Sequence, residues 1–482
     1  MFHYRESELA KLNRRYQNRQ FECIVIYGRR RVGKTALINE FCKDKPTVFF
    51  SALNATSQEN LEALSKAIYE KEHPGAETAP VYPSFDAAFA EITRMAETER
   101  LVFVIDEYPY LARANKSISS RLQHIIDHTW TNGNLFLILC GSSMSFMEKE
   151  LLSEKNPLYG RATGIYRMRE MGFYDAAKFF PDYSDRDKVL AYAVLGGIPH
   201  YLRQWNPKRS VDENIKQNIL TKGCILYSEV EFLLHQELRE TPIYNSIIEA
   251  VALGNTKLND ISQKSLVEDT SKTSVYLKNL IELGIVEREF SVDAKIKEYG
   301  NSGRGIYRLT DNFFRFWYAF GFANFSQLED GDVDGVYEYV VKPALHEFAA
   351  FAFEDVCREF VREMQKKNEL PFRYAKMGRW FGKTTVRDEK AQGGLRTAET
   401  EIDLLGIDRE AKEYLVGECK FKGVPFSYSE YLDTLAKLDP VKEKARFHYA
   451  LFSENGFDAK IAAHAAENET QLYTLDQIVR YK

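Results

Sequence analysis

Phe21-Glu-Cys-Ile-Val-Ile-Tyr-Gly-Arg-Arg-Arg-Val-Gly-Lys-Thr35 is the stretch from which the chain is read. Ile24, Val25 and Ile26 are a short β-branched run, as expected of a strand covered on both faces. Gly28 to Thr35 then spells G-x-x-x-x-G-K-T, a loop whose backbone N–H groups cradle phosphate oxygens. Gly28 and Gly33 let the backbone turn so that those groups converge. Lys34 sets a cation against the outer phosphates, and the Thr35 hydroxyl is a magnesium ligand. A helix opening near Lys34 points its positive end at the anion. Ala36, Leu37, Ile38 and Phe41 continue as its apolar side. The expected ATP-binding set is therefore Gly28, Arg31, Val32, Gly33, Lys34, Thr35 and Ala36, with Mg²⁺ on Thr35.

Two more apolar runs belong with this loop. Leu101-Val-Phe-Val-Ile-Asp-Glu107 ends in two carboxylates. Ligand sites in parallel sheets lie at the carboxyl ends of strands. Asp106 is thereby placed to hold magnesium through water and Glu107 to polarise the attacking water. Leu135-Phe-Leu-Ile-Leu-Cys140 runs into Gly141-Ser142-Ser143. Ser142 either senses the γ-phosphate between the other two strand ends or simply closes the strand. Strands alternating with helices imply a doubly wound parallel α/β layer.

The 482 residues suffice for three or four domains. A hydrophobic fraction of 44%, a charged fraction of 28% and a net charge of −5 exclude a globally basic nucleic-acid binder, so any basic surface must be local. Six dispersed cysteines without a C-x-x-C pair point to reduced thiols, no zinc site and a cytoplasmic location. The longest apolar runs are too short to span a bilayer, so no membrane is expected.

Beyond the first sheet, helices are expected over 173–180, 188–195 and 215–234, broken by Gly196, Gly197 and Pro199. Three short helices over 243–253, 258–262 and 271–283, then strands over 285–290 and 305–309, give a winged-helix order. Lys272, Thr273 and Lys278 on the third helix are candidates to meet DNA phosphates. Three cations against three acids over 271–290 favour a protein-packing role for this module instead. The aromatic run Phe313, Phe314, Phe316, Trp317, Tyr318 and Phe320 is too apolar for a surface and is expected to glue the module to the C-terminal part of the chain.

Near the C-terminus, a helix over 345–364 carries Glu354. Thr400-Glu-Ile-Asp-Leu-Leu-Gly406 and Glu413-Tyr-Leu-Val-Gly-Glu-Cys-Lys-Phe421 read as a paired hairpin. Glu418 and Lys420, two apart, share one strand face, and Asp403 on the adjacent strand can reach it. Such a set holds Mg²⁺ and helps activate a water against a phosphodiester; an exposed edge hairpin with alternating charge is the other reading.

The first half resembles the archaeal-type ATPases, a branch of the AAA+ and STAND P-loop proteins. The resemblance rests on Phe2 with Arg5-Glu6-x-Glu8-Leu9, on GRRRVGKT, on Val104-Ile-Asp-Glu107, on Asn156-Pro-Leu-Tyr-Gly-Arg161 and on Gly196-Gly-Ile-Pro-His-Tyr-Leu202. It implies an ATP-driven switch with a helical lid. It also implies that Arg161 contacts the γ-phosphate or a neighbouring subunit, unless it is a plain surface arginine. The C-terminal part resembles the PD-(D/E)xK nuclease superfamily through Glu354, Asp403 and Glu418-Cys-Lys420, with Ile402 where that family often has proline. That resemblance implies Asp403, Glu418 and Lys420 as catalytic, and Glu354, Asp403 and Glu418 as metal ligands. The expected organisation is an α/β P-loop ATPase domain (1–165), a helical lid (166–240), a winged-helix domain (241–325) and an α/β restriction-endonuclease-like domain (330–482). ATP, DNA and a second copy or protein partner are the expected partners.

Overall fold

The computed structural model describes residues 5–267, 269–299, 305–387, 395–437, 445–465 and 467–481. Phe2 of the opening motif lies outside them. The chain forms two compact units, Met1–Glu170 with Ile198–His200, and Met171–Gly197 with Tyr201–Lys482.

The first unit is built on five strands, β1 (Glu22–Tyr27), β2 (Thr47–Ser51), β3 (Val102–Asp106), β4 (Phe136–Gly141) and β5 (Gly164–Arg167). They lie in the order β2-β3-β4-β1-β5, and every pairing is parallel. β1, β3 and β4 are buried along their whole length. The two-residue period sorts their side chains. Ile24, Ile26, Val102, Val104, Phe136 and Ile138 pack with Leu37, Ile38 and Phe41 on one face. Val25, Phe103, Ile105, Leu137 and Leu139 pack with Phe89, Leu122 and Trp130 on the other. Each such aliphatic side chain removed from water contributes about 1.5–3 kcal/mol, so the apolar runs can only be central strands. β5 has alternating half-buried and exposed residues, and no apolar run announces it in the sequence.

In the second unit the helix expected over 215–234 is broken. Val211–Ile215 passes into a wide turn, Lys216–Leu220, and a new helix starts at Ile225–Glu237. Gly223, at φ 90°, supplies the left-handed residue of the break. The helices Thr241–Ala252, Leu258–Lys264 and Thr270–Glu282 follow, then an antiparallel ribbon of β6 (Val286–Glu289) and β7 (Ile306–Leu309). Thr273 is fully buried; its hydroxyl meets Ser262 Oγ at 3.1 Å. It therefore faces the helix pair and cannot meet a phosphate, unlike the exposed Lys272 and Lys278. Phe313, Phe314, Phe316, Trp317, Tyr318 and Phe320 are all buried. Phe313 packs on Tyr201 at 4.8 Å between ring centres, and Phe316 and Phe320 pack on Phe348. The run is an internal seam, as its composition required.

The long helix Lys342–Lys367 lies against a mixed sheet of β8 (Lys376–Arg387), β9 (Leu395–Ile407), β10 (Glu413–Lys420), β11 (Arg446–Ser453) and β12 (Thr470–Thr474), in the order β12-β11-β10-β9-β8. β8, β9 and β10 run antiparallel, and β10, β11 and β12 run parallel. Among the described residues no helix is long and apolar enough to cross a membrane.

Phe316→Ala should cost about 3–5 kcal/mol through the cavity left in the seam. A lowered urea midpoint for the second unit checks this; an unchanged midpoint would show that the seam does not hold the unit together.

Candidate functional site

In the first unit, β1 delivers the chain into the glycine-rich loop and the loop into the helix Lys34–Cys42. Gly33 caps that helix at φ 91°, a left-handed conformation that favours glycine. Gly28 takes φ 157°, which side chains rarely adopt, and a close backbone approach adds a second requirement for glycine. A Cβ there would lie 2.2 Å from the Met168 carbonyl oxygen, because the Met168 N–H donates to the Tyr27 carbonyl at 2.6 Å at the end of β5. Arg31 takes φ 72°. Val32 is buried in the core beside Leu12 and Ile24, and Ala36 is half-buried on the helix.

Lys34 is buried, and its ammonium donates to the carbonyls of Gly28 at 2.8 Å and Arg29 at 2.9 Å. Burial pulls its pKa below the usual lysine value, against the opposing charges of Glu107 and Asp106. The Thr35 hydroxyl donates to Asp106 Oδ2 at 3.1 Å. A hydroxyl and a carboxylate from two elements thus meet at one point, a donor pair that suits a magnesium ion carrying phosphate oxygens.

Glu107 follows Asp106 in a left-handed conformation at φ 51°. Its Oε2 accepts from Ser142 Oγ at 2.9 Å and from Ser142 N at 3.3 Å. β4 lies between β1 and β3, and that placement carries Ser142 to Glu107. Arg161 sits apart from this group. It holds Asp127 with two bonds of 2.9 and 3.1 Å and donates to the Tyr159 carbonyl. Arg5, in the sequence only one letter of a motif, reaches the Val32 carbonyl at 3.2 Å and the Arg169 carbonyl at 2.5 Å. It pins the loop from behind, and no periodic pattern marks it.

In the second unit, β9 pairs with β10 from Tyr414↔Ile407 to Gly417↔Leu404. The next positions along are Asp403 and Glu418. Asp403 Oδ2 accepts from the Cys419 N–H at 2.8 Å. Lys420 Nζ donates to Glu418 Oε1 at 2.9 Å, and Lys437 Nζ to Glu418 Oε2 at 2.5 Å. Glu354 is ion-paired with Arg379 of β8 and lies 3.4 Å from Arg358 Nη1. Arg358 also donates to the Asp403 carbonyl at 2.7 Å. Lys437 and Arg379 were not singled out from the sequence, because they come from separate elements with no fixed spacing to the motif; Arg358, four residues after Glu354 on the same helix, was not singled out either.

Burial, then the charges of Glu418 and Glu354, push the Asp403 carboxyl up to about 7. Burial also raises Glu354, against Arg379 and Arg358. Among the described residues, no three His, Cys, Asp or Glu side chains converge as a metal-ligand group. Glu354 is bonded to guanidinium groups and Glu418 to ammonium groups. Asp403 and Glu418 remain a donor pair for a hard cation, which would relieve the repulsion between them.

Residues 2–205 match a family model described as an ATPase domain predominantly from Archaea. Residues 317–431 match one described as archaeal and bacterial proteins of unknown function. The uncharacterized protein MJECL04 of Methanocaldococcus jannaschii is 32% identical over 422 residues, 88% of each chain. The uncharacterized ATP-binding protein MJ0423 of the same organism is 47% identical over 45 residues, 9% of this chain and 76% of its own. Among solved structures, the Walker-type ATPase PABY2304 of Pyrococcus abyssi aligns with a TM-score of 0.48 at 20% identity, covering 66% of this chain and 96% of its own.

The raised pKa of Asp403 makes a stability prediction with a definite sign. A carboxyl whose folded pKa lies above its ordinary 3.8 stabilises the fold fully below that value and loses the contribution as pH rises through about 7. In metal-free buffer, the stability of the parent relative to Asp403→Asn should therefore fall between about pH 4 and 7, by at most about 4 kcal/mol. Urea midpoints of the two proteins across that range check it, and a constant difference would refute it.

Proposed function

Starting from the chain's membership in the family of MJECL04 and from the archaeal ATPase domain that residues 2–205 match, we propose that it is an ATP-hydrolysing switch coupled to a magnesium-dependent DNA nuclease domain. The observation that carries the nuclease half is the meeting of Asp403 with the Glu418 and Lys420 strand across the β9–β10 pairing.

In the ATPase unit, the loop amides and Lys34 take the phosphates, and Thr35 and Asp106 would hold the magnesium that accompanies ATP. Lys34 exchanges its two carbonyl partners for phosphate oxygens. Glu107 polarises the attacking water once it has released Ser142, and Ser142 is then free to report on the γ-phosphate. Arg161, partly exposed on Asp127, is available to a neighbouring copy. Hydrolysis here depends on positioning and electrostatics more than on covalent chemistry.

In the C-terminal domain, Asp403 and Glu418 would hold magnesium, which neutralises charge on the scissile phosphate when bound. Lys420 orients the attacking water. Glu354, clamped by Arg379 and Arg358, anchors a water at the edge of the site and fixes the helix against β8. The three-helix-and-ribbon module is read as a winged helix, with Lys272 and Lys278 as exposed cations of its third helix. A second reading has a specific observation behind it: each oxygen of Glu418 is already satisfied by an ammonium. On that reading the domain binds nucleic acid or a protein partner without cutting.

Lys34→Ala should abolish nucleotide binding or turnover, while Glu107→Gln should keep ATP bound and lower turnover by about two to four orders of magnitude. Equilibrium binding and phosphate release measured side by side separate the two, and equal turnover in Glu107→Gln would move the base elsewhere.

The full chain with Mg²⁺ or Mn²⁺ should cut linear, branched or single-stranded DNA, and Glu418→Ala and Lys420→Ala should lose at least about a hundredfold. Variants that cut as well as the parent would assign the activity to another site. Metal-dependent binding without cleavage by the parent would favour the second reading.

A further inference from the structure

Glu418 bonds two lysines, and they differ in kind. Lys420 lies two residues along the same strand, so its place beside Glu418 follows from the strand period. Lys437 comes from elsewhere: it closes the helix Tyr428–Ala436, its own N–H bonded to Asp433 and Thr434. Its side chain is 18% exposed and reaches Glu418 Oε2 at 2.5 Å. One ammonium already neutralises Glu418, so the second is surplus to that carboxylate, with the Asp403 carboxyl as its neighbour. It ceases to be surplus when that oxygen turns to a hard cation. A partly buried ammonium then needs a replacement anion, and a phosphodiester entering the site brings one.

We propose that Lys437 is a second phosphate-binding lysine of this site, bonded to Glu418 when no strand is bound and to a backbone phosphate when one is. This rests on reading the Asp403–Glu418–Lys420 cluster as a phosphodiester site. No bond is made or broken; an ion pair is exchanged.

The test is DNA binding by the full chain, followed by fluorescence anisotropy over a salt series, in EDTA and in Ca²⁺, with a labelled duplex and the matching single strand. Lys437→Ala should bind about tenfold more weakly and lower the slope of log affinity against log salt by about 0.9, whereas Lys437→Arg should stay near the parent. Lys412→Ala, an exposed lysine paired with Glu410, should change neither quantity. The loss should persist in a Glu418→Gln background, and thermal unfolding of each variant establishes that it is folded. Unchanged affinity and slope in Lys437→Ala would overturn the proposal. So would a loss that disappears in Glu418→Gln, since Lys437 would then only neutralise Glu418. A parent that binds and cuts while Lys437→Ala binds normally removes this inference alone. A parent that binds without cutting, with Lys437→Ala weakened, removes the nuclease reading and keeps the phosphate contact. A parent that binds neither DNA removes both.

Discussion

Parallel pairing of β1 with β4, from Glu22↔Phe136 to Tyr27↔Gly141, sets the geometry of the nucleotide site. It brings the end of β4 level with the start of the phosphate loop, while β3 pairs with the other side of β4. Lys34, Ser142 and the Asp106–Glu107 pair therefore share one edge of the sheet. Ser142 reaches Glu107 only because β4 stands between the other two strands. The remaining constraints support that edge. Met168 closes on Gly28 from β5, and Arg5 ties the loop carbonyl of Val32 to that of Arg169. A polar loop held this way is organised before any ligand arrives, which lowers the ordering cost of binding.

The second unit solves a harder electrostatic problem, since several of its charged groups are buried. Arg308 of the ribbon holds Asp355 at 3.2 Å, Asp355 holds Arg358 at 2.6 Å, and Arg358 holds the carbonyl of Asp403. Removing one partner from such a chain leaves an uncompensated buried charge. Adjacent residues show how local the balance is. Burial works against ionisation of both Glu354 and Asp355, but Arg358 and Arg308 hold Asp355 well below the usual carboxylate range. For Glu354 burial prevails over its guanidinium partners. The chain of ion pairs thus runs from the ribbon to the backbone of the Asp403 strand without a gap.

The two sites share a chemical theme. Each sets a carboxylate near a lysine, in the first unit at the carboxyl ends of strands and in the second beside the pairing of β9 with β10. In the first unit the lysine is satisfied by loop carbonyls; in the second unit both lysines are satisfied by Glu418. The first arrangement is released by any anion that outcompetes a neutral oxygen. In the second, freeing either lysine requires that a full negative charge be given another partner.

Much was legible in the sequence wherever a function needs neighbours in the chain. The phosphate loop is such a case: strand, turn and helix amides must be consecutive to cradle a phosphate. The apolar runs of β1, β3 and β4 are another, because a strand buried on both faces has to be apolar throughout. Glu418 and Lys420 were placed on one face by the strand period alone. Tertiary structure decided the rest. The edge strand β5 carries no apolar run, and the buried face of the helix Thr270–Glu282 took Thr273 in place of a larger apolar residue. Gly28 answers to the Met168 carbonyl as well as to the turn. Arg5, Arg379 and Lys437 reach their partners across separate elements, as Arg358 does to the Asp403 carbonyl, and no spacing along the chain encodes such a distance. Periodicity reports which face a residue shares; only the packed fold determines what that face meets.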